Sequence, residues 1–190
     1  MIYALVDKET LLRNDLSLQD LLRHIATLQI PILQYRNKPG SLEEKQRDLE
    51  EIRGLYHGTL IINDSIELID YADGLHLGQE DMKAYSDDKK KAVAMIRQKI
   101  AGKQLGLSTH NTVEIEEAND LEIDYIGLGA YRSTGTKKDA KVGGEALLKI
   151  AKLSRHPVAI IGGVRMDDSF EEPIVYKVIG SGLYDYQKCL

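Results

Sequence analysis

Eight short apolar runs recur along the chain, and most are followed by a polar stretch with helical spacing. They are IYALV (2–6), PILQY (31–35), TLIIN (59–63), GLHLG (74–78), QLGLS (104–108), YIGLG (125–129), PVAIIGG (157–163) and PIVYKVIG (173–180). Strands that alternate with helices make a parallel sheet. Eight such units point to a closed (β/α)8 TIM barrel. The competing architecture is an open doubly wound sheet with a site at its switch point. Polar residues or glycines end many of the strands, among them Gln34, Asn63, Ser108 and the glycines of IGG at 161–163. A barrel gathers all those ends at one mouth, whereas an open sheet spreads them apart, so the barrel is the better reading.

The helical stretches carry their own punctuation. Leu18, Leu21, Leu22, Ile25 and Leu28 fall on one helical face, with Ser17 in front as an N-cap. SLEEKQRDLEEIRGLY repeats the arrangement, with Ser41 as N-cap and Glu44 at capping-box spacing. DDKKKAVAMIRQKIAG closes on Gly102 as a C-cap, and NTVEIEEAND and GGEALLKIAKL supply two more helices. Two places break the pattern. Only the eight residues 165–172 separate IGGV from PIVYKVIG, so the seventh helix is predicted to be very short. Eleven residues follow Ile179, so the eighth is predicted to be missing or vestigial. The outer faces of the last and first strands would then be bare. Leu183, Tyr184 and Tyr186 would fold over part of that flank, and a second copy of the chain, in a homodimer, would cover the rest.

A length of 190 residues fits one domain, 1–190. A net charge of −5 argues against a nucleic-acid partner, although it leaves room for an anionic small molecule held by local cations. The single cysteine, Cys189, cannot form an internal disulfide. MIYALV is too short for a signal-peptide core, and no apolar run is long enough to span a bilayer. A cytoplasmic protein is expected, with no membrane partner.

The strand ends carry the chemistry. In QYRNK, the i, i+2, i+4 rule puts Gln34, Arg36 and Lys38 on one face, an amide and two cations suited to a phosphate or diphosphate. An exposed Arg and Lys leaving a strand would read the same way. TGTKK (134–138) offers two hydroxyls and two lysines in a glycine-containing loop. IGG lets a ligand approach the backbone at the end of strand seven, where barrels often bind phosphate. Asp64 and Asp81 end neighbouring strands opposite the cations, which suits a hard divalent ion such as Mg2+. Helix N-capping is the structural alternative for both acids. Of the five histidines, His76 reads as an oriented structural residue, while His110, beside Ser108, is the candidate for proton transfer.

QYRNK, IINDSIEL, ADGLHLGQEDM, GLSTH, DYIGLGAYRSTGTKKD and VAIIGGV, in this order, resemble the thiamine-phosphate synthase family over roughly residues 30–165. The resemblance implies a (β/α)8 barrel enzyme, a Mg2+-dependent transferase of thiamine biosynthesis. Such an enzyme joins hydroxymethylpyrimidine diphosphate to a thiazole phosphate and releases pyrophosphate. It implies that Gln34, Arg36, Lys38, Asn63, Ser108 and Lys137 hold the pyrimidine diphosphate, with Arg36, Lys38 and Lys137 assisting departure of the leaving group. It further implies that Asp64 and Asp81 ligate Mg2+. Thr134, Thr136, Gly163, Ile179 and Gly180 would form the thiazole-phosphate site.

The chain departs from the family pattern on one side only. YRST stands where the family has an apolar residue and a proline, FEEPIVYK replaces the usual Gly-Ala-Asp-Gly entry to the last strand, and Gly180 with Ser181 replaces the expected serine. All of these bear on the thiazole-phosphate side. Two alternatives follow: a thiazole tautomerase-like enzyme using His110, and a non-catalytic ligand-binding barrel. The complete cation and carboxylate set argues against both.

Overall fold

The computed structural model describes residues 1–134 and 141–184. Its strands are β1 (Ile2–Asp7), β2 (Ile32–Arg36), β3 (Thr59–Asn63), β4 (Gly74–Leu77), β5 (Gln104–Thr109), β6 (Tyr125–Leu128), β7 (Val158–Ile160) and β8 (Ile174–Ile179). They pair in parallel and in chain order, and β8 returns to β1 through the register Tyr3 to Val178, which closes the barrel. The open sheet is thereby excluded.

Alternation along each strand sorts the side chains into two layers. Tyr3, Leu5, Ile32, Ile61, Tyr125, Ala159 and Val178 pack inside the barrel. Leu33, Leu60, Ile62, Leu75, Ile126 and Ile160 face outward and meet the helices. Because both faces are buried, the strands read as continuous apolar runs in the sequence. Gly106 shows why the interior needs small residues as well: a Cβ there would stand 2.6 Å from His76 Nδ1.

The helices are α1 (Lys8–Arg13), α2 (Leu18–Thr27), α3 (Leu42–Leu55), α4 (Gln79–Lys83), α5 (Lys89–Ile100), α6 (Thr112–Ala118) and α7 (Glu145–Ala151), with a 3-10 helix at Ile66–Tyr71. Ser17 caps α2 by accepting from Asp20 N, and Ser41 caps α3 by accepting from Glu44 N. The left-handed stop of α5 falls on Ala101, one residue before the predicted Gly102. Among the described residues no helix is long and apolar enough to cross a membrane.

The seventh helix is not merely short: no helix forms between β7 and β8 among the described residues. Lys177, on the outer face of β8, holds the intervening loop instead, donating to Met166 O at 2.6 Å and Asp168 O at 2.8 Å. On the flank beside β1 and β8, Leu183 and Tyr184 fold back as expected. Leu183 is fully buried, and the Tyr184 hydroxyl accepts from Asp7 N at 2.8 Å and donates to Leu5 O at 3.3 Å. This turn covers part of the outer side of β1, while Val175 on the outer face of β8 stays exposed. Tyr186 and Cys189 lie outside the described residues.

Candidate active site

The C-terminal ends of the strands open into one cavity of about 630 Å3. Gln34, Arg36, Lys38, Asn63, Asp64 and Asp81 line it on one side. Ser108, at the end of β5, also lines it, and Thr134, Gly163, Gly180 and Ser181 line the other side. Strand ends fixed by their neighbours' hydrogen bonds hold these groups, which is what a barrel mouth offers chemistry. Of the remaining sequence-predicted residues, two cannot be placed and one does not join them. Thr136 and Lys137 lie outside the described residues. Ile179 does not line the cavity; its side chain is fully buried and packs in the core between the strands and the helices.

The two aspartates are placed by different local structures. Asp64 follows β3 with a positive φ of 64°, a left-handed conformation that non-glycine residues rarely take and that recurs at functional sites. Asp81 sits in the first turn of α4, with its Oδ2 lying over Gly78. Neither serves as an N-cap: Ser65 precedes the 3-10 helix and Gly78 precedes α4. The capping alternative therefore fails for both.

Lys38 Nζ stands 3.4 Å from Asp64 Oδ2 and 3.8 Å from Asp81 Oδ2. The Asp64 carboxyl is pushed above the ordinary carboxylate range, first by burial and then by the Asp81 charge, with Lys38 opposing. Two partly buried carboxylates around one ammonium form a site that asks for positive charge. Hard oxygen donors of this kind fit a divalent cation such as Mg2+. Among the described residues no cluster of three or more His, Cys, Asp or Glu could hold a metal ion. An ion held by this pair would therefore take its remaining ligands from water or from a bound anion.

Arg36 is less exposed than a residue leaving a strand end would be. Its Nη1 meets Asp7 Oδ1 at 2.5 Å, and the Asp7 side chain is 2% exposed. Asp7 also caps α1, accepting from Thr10 N at 3.0 Å and from Thr10 Oγ1 at 2.6 Å. The carboxylate is thus locked and aims the guanidinium at the mouth. Sequence reasoning missed Asp7. Its signal was an acid closing IYALVD on the strand beside QYR.

His110 lines the cavity and shares a hydrogen bond with Glu114 Oε2 at 2.9 Å. His76 is buried on the inner wall of the cavity. Burial lowers its pKa to about 4, so the ring is neutral, as its structural reading requires. Its Nε2 lies 2.9 Å from Ser108 Oγ.

The side between β6 and β8 relies on backbone. Gly163 has a φ of 58°, and a Cβ there would meet Arg132 Cβ at 2.7 Å, so only glycine leaves this edge open. Arg132 Nη1 donates to Gly163 O at 3.1 Å, and its guanidinium forks onto Asp168 at 2.6 and 3.0 Å. Arg132 belongs to the YRST departure noted in the sequence, and Asp168 lies in the loop that has no helix. Arg132 thus ties the segment after β6 to the loop after β7.

Comparison with known proteins places this geometry. A family model described as Thiamine monophosphate synthase matches residues 2–172. The thiamine-phosphate synthase of Synechococcus sp. is 36% identical over 142 residues, covering 71% of this chain and 38% of its own length. That of Persephonella marina is 35% identical over 142 residues, covering 70% of this chain and 63% of its own length. The chain thus spans less than two thirds of these relatives. That of Staphylococcus epidermidis is 29% identical over 185 residues, covering 92% of this chain and 82% of its own length. Among solved structures, thiamine phosphate pyrophosphorylase from Pyrococcus furiosus has the same fold, with a TM-score of 0.76 at 24% identity over 95% of this chain and 85% of that one. With the family model matched along nearly the whole barrel, the chain belongs to the Thiamine monophosphate synthase family.

Proposed function

We propose that this chain makes thiamine phosphate by joining hydroxymethylpyrimidine diphosphate to a thiazole phosphate. The observation that carries the reading is the placement of Lys38 between Asp64 and Asp81, with Arg36 on the same side of one cavity. The diphosphate enters beside Arg36 and Lys38, and Gln34, Asn63 and Ser108 orient the pyrimidine. Asp64 and Asp81 would hold Mg2+, which supplies charge neutralisation to the diphosphate when bound.

The chain's own groups then act by charge and position. The bond between the pyrimidine methylene carbon and the diphosphate oxygen breaks, and its electron pair leaves with pyrophosphate. Arg36 and Lys38 stabilise that developing charge, and Lys137 is assigned the same role on sequence grounds. The thiazole nitrogen lone pair captures the methylene carbon and forms the new C–N bond. Gly163, Gly180 and Thr134 border the place where the thiazole phosphate would sit, and Thr136 extends that border on sequence grounds. No protein nucleophile is needed, because positioning and electrostatics suffice.

The test mixes the purified chain with both substrates and Mg2+ and looks for thiamine phosphate and pyrophosphate. Formation of both supports the reading. No product from competent substrates, with the fold intact, refutes it.

A further inference from the structure

A row of buried and half-buried side chains joins Asp64 to Ser108 through the centre of the barrel. Asn63 Nδ2 donates to Asp64 Oδ2 at 2.5 Å, and Gln34 Nε2 donates to Asn63 Oδ1 at 2.8 Å. The Tyr3 hydroxyl donates to Gln34 Oε1 at 2.9 Å. The Tyr3 and Tyr125 oxygens are 2.9 Å apart, Tyr125 Oη is 3.1 Å from His76 Nδ1, and His76 Nε2 is 2.9 Å from Ser108 Oγ. Six of the eight strands contribute: β3, β2, β1, β6, β4 and β5.

Counting hydrogens gives this row a direction. A carboxylate has none to donate, a hydroxyl has one, and a neutral imidazole has one N–H. Asp64 only accepts, so the NH2 groups of Asn63 and Gln34 both point toward it. Tyr3 spends its hydrogen on Gln34, so the hydrogen between the two tyrosines must come from Tyr125. Tyr125 can then only accept from His76, which places the ring proton on Nδ1 and leaves Nε2 bare. Ser108 must give its hydrogen to Nε2. What Ser108 Oγ turns to the cavity is therefore lone pairs.

We infer that Tyr3, Tyr125 and His76 are positioning residues that fix Ser108 as a hydrogen-bond acceptor. The cavity thereby selects a heteroaromatic ring bearing an N–H donor at that point over one bearing an oxo group. The acceptor state of Ser108 rests on the hydrogen-bond row alone, while the ring set against it, the pyrimidine, rests on the proposed function. An oxo group there would set lone pairs against lone pairs and leave both unpaired in a closed site, and sites built around one hydrogen bond discriminate strongly against such analogues. None of the three residues belongs to the set singled out for substrate or metal binding.

The test has two arms. The first needs no ligand: 15N NMR of histidine-labelled protein, with His76 assigned through its backbone amide. The wild-type ring should be the Nδ1–H tautomer. Tyr3→Phe removes the acceptor of the Tyr125 hydrogen, which can then turn to Nδ1, so the Nε2–H tautomer should appear. Nε2–H in the wild type, or Nδ1–H alone in Tyr3→Phe, overturns the relay. The second arm compares binding of the aminopyrimidine diphosphate and its oxo counterpart by calorimetry, without thiazole. The wild type should prefer the amino ligand at least about tenfold, and Tyr3→Phe should bring the ratio close to one. An equal loss for both ligands would mean a merely structural role and overturn the proposal. If the wild type binds neither pyrimidine, the functional reading falls while the tautomer arm still decides the relay. Should Tyr3→Phe fail to fold, Tyr125→Phe breaks the row one step later, and the same collapse of the ligand ratio is expected.

Discussion

The mouth of the barrel is built in two ways on its two sides. From β2 to β5, charged and amide side chains leave the strand ends and lock one another: Gln34 to Asn63, Asn63 to Asp64, and Lys38 to both aspartates. From β6 to β8, backbone borders the cavity at Gly129, Gly162, Gly163 and Gly180, and a loop stands where a helix would. That loop is held by Arg132, Asp168 and Lys177. On the proposed reading a few ionised groups do the work of the first side, so single substitutions there should be severe. On the second, many backbone groups share the work, and single substitutions should have graded effects.

The largest effect should come from Asp81→Ala. Loss of one carboxylate from the cation site should lower turnover by about 10²–10³-fold or more. Asp81 is partly exposed and makes no cap, so circular dichroism and the melting temperature should barely change. Near-normal rates in this variant, or in the wild type with EDTA, would break the assignment of the β2–β5 side as the charged half.

Arg36→Ala sharpens the same half, because here function and stability coincide. Turnover should fall by about 10²-fold. The variant also leaves the Asp7 carboxylate buried without its partner, a loss of about 3 kcal/mol for broken pairs of this kind. Arg36 is therefore not simply an exposed cation whose loss spares the fold, as its place in QYRNK had implied. Adding Asp7→Asn to Arg36→Ala should restore much of the stability, read by urea unfolding, and none of the turnover. Recovery of both would show that Arg36 only neutralises Asp7.

These two residues also mark how far the sequence could be read. Strands were legible because parallel strands buried on both faces are apolar throughout, and Ser17 and Ser41 were legible because a cap acts within three residues. The carboxylate pair was legible because each acid follows its own apolar run. Asp7 was not, since its partner is 29 residues away and no local pattern announces the pair. Tyr3 and Tyr125 read as core aromatics, and their hydroxyl partners exist only once the barrel has closed. The loop after β7 was legible as short but not as non-helical, because Arg132 and Lys177 hold it from other elements.

On the second side, Arg132→Ala should raise the KM for thiazole phosphate roughly 3–10-fold with kcat little changed, the scale of one hydrogen-bonded support. The KM for the pyrimidine diphosphate should stay constant, which initial-rate kinetics with each substrate varied in turn would read. An equal rise in both would mean that the two sides of the mouth are not separable.

The smallest effect expected is a gain in stability. Burial and Asp81 raise the folded-state pKa of Asp64 above its unfolded value. A raised carboxyl makes the folded state bind more protons than the unfolded chain between the two values, so stability falls as pH rises through that window. The penalty is complete above the folded pKa and absent below the unfolded one, about 3.9. Asp64→Asn removes the charge while keeping the shape, and asparagine tolerates the left-handed backbone that Asp64 adopts. At pH 7 the variant should melt roughly 1–4 °C above the wild type, the shift that stabilisation of up to about 1 kcal/mol gives in a chain of this length. The gain should shrink as the pH is lowered through the raised folded pKa of Asp64, because the wild-type carboxyl then takes up its proton. Turnover should be lost at every pH. A variant that melts lower at pH 7 would mean that the Lys38 contact outweighs burial and Asp81 together, and the carboxylate pair would then be a stabilising element of the fold rather than charge held in place for a ligand.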